Sequence, residues 1–386
     1  MTTVHMWIYP WDIARLGPEK TAALLDEMGV DAVSLAVIYH AGYVLSLING
    51  EPELIYLPQG MSFGETNLTM LSRSLQSFNW LDFLQATRNS FQRRGIALRA
   101  WTIAYHDKFE IRPVVNAFGQ PILHSPCPIA NRGYLDGIIQ LLTSSGMFDA
   151  IEIESAGFTP VFHGHHHEIS GVVITPLLNL LLGLCFCDEC RREMVQSSID
   201  PEALRQFVRR YWEAVARQGA LSESSSTELI GILAERPDLA RWLERRADLV
   251  ADALASSAKL FSGPMAYIAQ AFARPANLSL LEGIPLAPPP RMREDTECVI
   301  LAYGSPSSVQ NDVRAFFSRG WTSKRLVVGL TLVESVVPSW SIFSDAIDVA
   351  LEQGARRFSF YNFGILPKQR REWVARVAER IRRVND

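Results

Sequence analysis

The sequence has no apolar run long enough to cross a bilayer. Its longest candidate, "GVVITPLLNLLLGLCF", is interrupted by Pro176 and Asn179, whereas a span needs roughly 18 or more uninterrupted apolar residues. The opening stretch, "MTTVHMWIYPWDIARLG", lacks the basic start, apolar stretch and small-residue cleavage site of a secretory signal. Positive charge is not in excess: 37 Lys and Arg stand against 41 Asp and Glu, a net charge of -4. Without a Lys/Arg-rich run, nothing offers a face to nucleic acid. There are only 5 cysteines; an odd number with three crowded together argues against a disulfide framework and for a reduced, cytoplasmic protein. A Gly-rich phosphate turn is also missing after the first strand-like run, which argues against an open dinucleotide-binding sheet.

What is present is an ordinary globular composition, 48% hydrophobic and 20% charged over 386 residues, with a strict rhythm. Short apolar runs alternate with helical patterns, the signature of βα units and a parallel sheet. The runs are "VHMWIYPWD" (4–12), "DAVSLAVIYH" (31–40), "IALRAWTIAYH" (96–106) and "FDAIEIES" (148–155). They continue with "PMAYIAQAF" (264–272), "ECVILAYGS" (297–305), "RLVVGLTLVES" (325–335) and "ARRFSFYNFG" (355–364). Eight such units predict one α/β domain over residues 1–386, a closed (β/α)8 TIM barrel. Residues 177–260, rich in charged amphipathic helix, read as a helical elaboration within the barrel after strand four.

Barrels of this kind carry chemistry at the C-terminal ends of their strands. Those ends supply Trp11 and Asp12, Tyr39 and His40, Tyr105 and His106, Glu152 and Glu154, then Gln270, Tyr303, Glu334, Tyr361 and Asn362. Alternation puts Glu152 and Glu154 on one face of strand four and Ile151 and Ile153 on the other. The isoleucines suit the layer under the helices, so both glutamates should face inward. A buried carboxylate needs a partner; Arg99 on strand three is the expected one for Glu152, leaving Glu154 free at the rim. Glu334 closes strand seven across the mouth. Two carboxylates so placed can flank a glycosidic bond, one protonating the leaving oxygen and the other attacking the anomeric carbon.

Carboxylates at the ends of strands four and seven resemble the hallmark of the clan of retaining (β/α)8 glycoside hydrolases. The chain as a whole resembles an uncharacterised bacterial group of glycoside-hydrolase-like barrels in its "YPWD", "IYHAGYVL", "IEIES", "HGHHHE", "LCFCDEC" and "FYNFG" elements. The resemblance implies Glu154 as acid/base and Glu334 as nucleophile. It departs at Ile153, where the clan usually has an Asn that contacts the sugar 2-hydroxyl; His40, His106 or Asn362 would have to take that contact.

"FHGHHHEISG" sets His163, His165, His166, His167 and Glu168 on the loop after strand four. Without the i, i+4 spacing of a helical zinc pair, sugar hydroxyl recognition by His165, His166 and His167 is the better reading. "LCFCDEC" offers Cys185, Cys187 and Cys190 as ligands of a structural zinc, which would still need a fourth ligand; some β-galactosidases of the clan carry such a cluster. Cys127 reads as a loop thiol near the pocket. Trp11 and Trp101 are the aromatics most suited to a sugar platform. The expected function is glycoside hydrolysis on a small or chain-end glycoside, with no required cofactor. The alternatives are a metal-dependent sugar isomerase or epimerase using Glu152, Glu154 and the loop histidines, and a non-catalytic sugar-binding barrel. Neither the sugar nor the oligomeric state is written in the residues.

Overall fold

The computed structural model describes residues 3–48, 50, 52–57, 60–63, 67–69, 77–106, 111–162, 169–219, 225–270 and 282–383. Eight parallel strands close on themselves: β1 (Thr3–Ile8), β2 (Ala32–Ile38), β3 (Ala97–Ile103), β4 (Ala150–Glu154), β5 (Met265–Gln270), β6 (Glu297–Leu301), β7 (Leu326–Thr331) and β8 (Arg357–Tyr361). Each pairs with its sequence neighbours, and β1 pairs with β8 to complete the ring. The expected (β/α)8 architecture is therefore the observed one. Hydrophobic burial drives it, at about 1.5–3 kcal/mol for each fully buried large aliphatic or aromatic side chain. Among the described residues, no helix is long and apolar enough to cross a membrane.

Helices begin where the sequence supplies caps. Ser305 and Ser339 each accept from a backbone N–H three residues on, as do Asn79 and Thr175, and such a cap contributes typically about 1 kcal/mol. Pro10 occupies the first position of the helix Pro10–Leu16, where its fixed φ is already helical. The first strand therefore stops at Ile8, not Asp12 as expected. Among the described residues, the elaboration after β4 comprises five helices between residues 176 and 257. The excursion after β2 holds an antiparallel hairpin, Gly42–Ser46 with Glu53–Leu57, and the loop after β3 holds another, Pro113–Val115 with Pro121–Pro126.

The barrel interior is layered and unusually polar. At its base Arg99 donates to Glu297 at 2.9 Å, and Arg357 pairs with the same carboxylate. His5 lies beside them, its pKa pushed down to about 3 by burial and by the Arg99 charge. Above this layer, the Trp7 indole fills the centre against Trp101 and Tyr361. Gly329 makes room for it: a Cβ there would lie 3.0 Å from the Trp7 ring.

Candidate functional site

Glu152 and Glu154 both point into the barrel, as strand alternation requires, but at different depths. Glu152 is fully buried. It accepts from the Trp7 indole N–H and from Ser34 Oγ at 3.1 Å, and Arg99 approaches to 3.6 Å. Its first role is therefore to close the buried polar layer, and the anticipated Arg99 contact is secondary to the Arg99–Glu297 pair. Glu154 is the last residue of β4 and is half-buried. Trp101 Nε1 donates to its Oε2 at 2.7 Å. Burial raises its pKa to about 7, the Glu152 charge adding to the shift and the Trp101 bond opposing it.

The backbone just past Glu154 is strained. Ser155 has φ 53, in the left-handed region that costs an ordinary residue energy and tends to cluster at functional sites. Two hydrogen bonds hold it, Ala104 N–H to Glu154 O and Tyr105 N–H to Ser155 O, both at 2.9 Å.

Aromatic hydroxyls surround this carboxyl. Tyr9 Oη is hydrogen-bonded to Tyr361 Oη at 2.8 Å and to Tyr39 Oη at 3.0 Å. The charge of Glu154 reaches Tyr39, Tyr303 and Tyr361, and together with burial it holds all three phenols protonated. His40 stacks on Tyr39 with ring centroids 4.3 Å apart and meets His106 edge-on at 4.9 Å. The mouth thus unites Tyr39, His40, Trp101, His106, Glu154, Tyr303 and Tyr361, all drawn from strand ends.

Other expected site residues lie elsewhere. Trp11 and Asp12 are fully buried in the helix that Pro10 starts. Trp11 stacks on Tyr9 at 4.5 Å, and Asp12 accepts from Ser46 Oγ at 3.0 Å and from Tyr9 N–H, so neither presents itself to a ligand. Burial raises the Asp12 pKa to about 7. Tyr105 is buried with its hydroxyl donating to Asn131 O at 3.1 Å, and Asn362 is fully buried. His163, His165, His166, His167 and Glu168 lie outside the described residues.

Glu334 lies past the end of β7. The Thr331 hydroxyl accepts from Val333 N–H at 3.2 Å, and Val336 N–H bonds Val333 O. This turn ends the strand where the apolar alternation of the sequence runs on. The Glu334 side chain is 80% exposed, with Arg370 at 4.0 Å.

A different carboxyl lies within electrostatic reach of Glu154. Glu282, in the segment after β5, is half-buried. Its pKa is raised to about 8 by burial and then by the Glu154 charge. Its backbone is seated on the loop after β4: Phe158 N–H donates to Glu282 O at 2.7 Å. The seat depends on Gly157, where a Cβ would fall 2.1 Å from that oxygen. Gly157→Ala should therefore cost about 1–3 kcal/mol through forced repacking, read as a lowered unfolding midpoint; an unchanged midpoint would mean that the segment is not docked there. No sequence signal marked Glu282, because it belongs to no periodic element. Trp7 was legible in principle, since it alternates inward along β1, and Tyr9 continues that alternation just past the strand.

The cysteines form a second site. The sulfurs of Cys127, Cys185, Cys187 and Cys190 all lie within 4.8 Å of one another, with Cys127 Sγ 3.5 Å from Cys190 Sγ and 3.8 Å from Cys187 Sγ. Cys127 is thus the missing fourth member rather than a pocket thiol. Hydrogen bonds from the other three hold Cys187 well below the usual thiol range. The buried Arg246 guanidinium, its pKa lowered to about 10 by burial, feels Cys190, Cys185 and Cys127 of the cluster.

No protein-family model matches the chain, and no curated protein matches it. Solved structures do. A β-galactosidase from the psychrophilic Marinomonas ef1 aligns with TM-score 0.53 at 9% identity, over 99% of this chain and 60% of that one. A GH113 β-1,4-mannanase aligns with TM-score 0.45 at 8% identity over 99% of each chain. A chitinase from Chromobacterium violaceum ATCC 12472 aligns with TM-score 0.42 at 9% identity, over 97% of this chain and 98% of that one. The chain spans about 60% of the length of the β-galactosidase that it matches. What the match to the β-galactosidase shows is the fold, a closed barrel of eight parallel strands.

Proposed function

We propose that the protein hydrolyses a small or chain-end glycoside with a pair of carboxyl groups at the barrel mouth, Glu154 acting as proton donor. The observation that carries this reading is the Glu154 carboxyl itself: at a strand-four tip, fixed by the Trp101 indole, ringed by phenols and poised at about 7. A group that must give and then regain a proton works best near the ambient pH. Glu282 is the favoured second carboxylate, since it feels the Glu154 charge from a part-buried position. Glu334, which the family resemblance implies as nucleophile, stands exposed on the rim and is the alternative. Two interacting carboxyls titrate as a unit. Below about pH 7 both hold protons and no anion is available; above about pH 8 both are ionised and no acid remains; between them the pair shares one proton, and the form that carries it on Glu154 is the active one. The rate should therefore peak between these values.

The test is a panel of aryl glycosides assayed across pH, together with Glu282→Ala and Glu334→Ala in the presence of azide. A bell-shaped kcat/KM profile with limbs near 7 and 8, and a glycosyl azide from Glu282→Ala alone, are the expected results. A glycosyl azide from Glu334→Ala would return the nucleophile to strand seven. An absence of turnover with every glycoside would end the enzymatic reading.

The four cysteines fit a structural zinc ion. Tetrahedral Zn–S bonds of about 2.3 Å imply sulfur separations near 3.8 Å, which the cluster approaches, whereas a disulfide would need about 2.05 Å. The ion would supply a cross-link and a fixed positive charge, tying the loop after β3 to the helical elaboration.

A further inference from the structure

Beside the mouth opens a groove of about 560 Å³. Its floor is the hydrogen-bonded set Tyr9, Tyr39 and Tyr361, two of which also feel the Glu154 charge. Most of the rest of its lining is aliphatic, Leu45, Leu47 and Leu57 on the hairpin side and Leu332, Ile365 and Leu366 on the loops after β7 and β8, with His40 and Glu334 among them. The groove therefore starts where the polyol-binding chemistry ends.

The hairpin that forms one wall is apolar on both faces. Val44 and Ile55 face inward, and Ile55 is fully buried. The outer face carries Tyr43, Leu45 and Leu54, which are 60%, 51% and 57% exposed, with Tyr43 stacked on Tyr56. A hairpin over solvent would ordinarily be polar outside, and contiguous exposed apolar surface marks a binding surface. The hairpin is also held rigidly. Arg15 pairs with Glu53 at 2.7 Å, both nearly buried, and donates to Ser46 Oγ, which in turn donates to Asp12. The groove is thus preformed, which lowers the entropy lost when a ligand enters.

Its chemistry selects the occupant. Successive sugar rings would be gripped by flat aromatic platforms and hydrogen-bonding groups, which the groove concentrates at its tyrosine floor, whereas the aliphatic majority of its lining favours a flexible hydrocarbon chain. A ligand spanning mouth and groove must join a polyol to an aliphatic tail.

We propose that the groove is the aglycone subsite of the glycosidase described above and takes an unbranched aliphatic chain, so that alkyl glycosides, not oligosaccharides, are the preferred substrates. The inference rests on that reading of the mouth. In the reaction the bond between the anomeric carbon and the alkyl oxygen breaks, a carboxyl proton goes to the departing alcohol, and water supplies the hydroxyl to the sugar and returns the proton.

The test is equilibrium titration of the wild type and Glu154→Gln with methyl, butyl, hexyl and octyl β-glucosides and β-galactosides, below micelle-forming concentrations. Kd should fall about two- to fourfold for each added methylene, between half and full burial of the chain. Leu45→Glu and Ile365→Ser, checked by their unfolding midpoints, should each flatten this slope. An octyl glycoside that binds no better than the methyl glycoside, or that does not bind at millimolar concentration, overturns the proposal. So does a flat series in which Leu45→Glu converts a dimer to a monomer in sedimentation, which would assign the groove to a second copy of the chain. A steep series with no octanol released keeps the hydrocarbon site and removes the cleavage reading instead.

Discussion

Glu154→Gln should lower kcat on unactivated glycosides by about 100- to 10,000-fold, the usual worth of a positioned general acid. The amide is nearly isosteric and its oxygen can still accept the Trp101 N–H bond of 2.7 Å, so the mouth should keep its shape. Removing the carboxyl also removes a charge that bears on Glu282 and three phenols. The Glu282 pKa should therefore fall toward its ordinary range, moving the acidic limb of the pH profile to lower pH, while the basic limb that reports loss of the Glu154 proton should disappear. The diagnostic is leaving-group dependence. A dinitrophenyl leaving group needs little protonation, so its loss of rate should be small, whereas an alkyl leaving group should show the full loss. Equal losses for both would mean that Glu154 positions the substrate without donating a proton.

Loss of the cysteine cluster carries the second largest effect. The protein is expected to contain one zinc ion per chain by elemental analysis, and Cys127→Ser should remove it. Zinc held by short thiolate-bearing peptides contributes about 10–16 kcal/mol to their folding. Here the barrel has its own core, so the cost should be a fraction of that, about 3 kcal/mol. At about 2–4 °C per kcal/mol for chains of 150–250 residues, the unfolding midpoint should fall by roughly 6–12 °C. Strong chelation should have the same effect on the wild type and little on the variant. Protein that contains no metal, with a midpoint unmoved by chelator and by Cys127→Ser, would identify the cluster as four ordinary buried thiols.

The strand alternation that set Glu152 and Glu154 inward was legible because a period of two depends only on local geometry. The same cue overran the end of β7: "LVVGLTLVES" alternates past Thr331, but a side-chain-capped turn ends the strand there, and Glu334 stands beyond it on the lining of the groove beside Tyr39 and Tyr361. It also misjudged Trp11 and Asp12, since Pro10 converts the end of the first run into a helix. Cys127 stands 58 residues before Cys185 in the chain, so no spacing rule could join it to its three partners. Glu282 was invisible for the same kind of reason.

Sequence alone therefore determined the eight-stranded barrel, the inward pair on strand four and three of the four cysteines, because periodicity and local spacing express backbone geometry directly. Which distant carboxyl feels the Glu154 charge, which thiol completes the cluster and which apolar residues line a groove were decided only by folding. Each of these depends on segments distant in the chain meeting at one end of the barrel, and on burial that no single segment encodes.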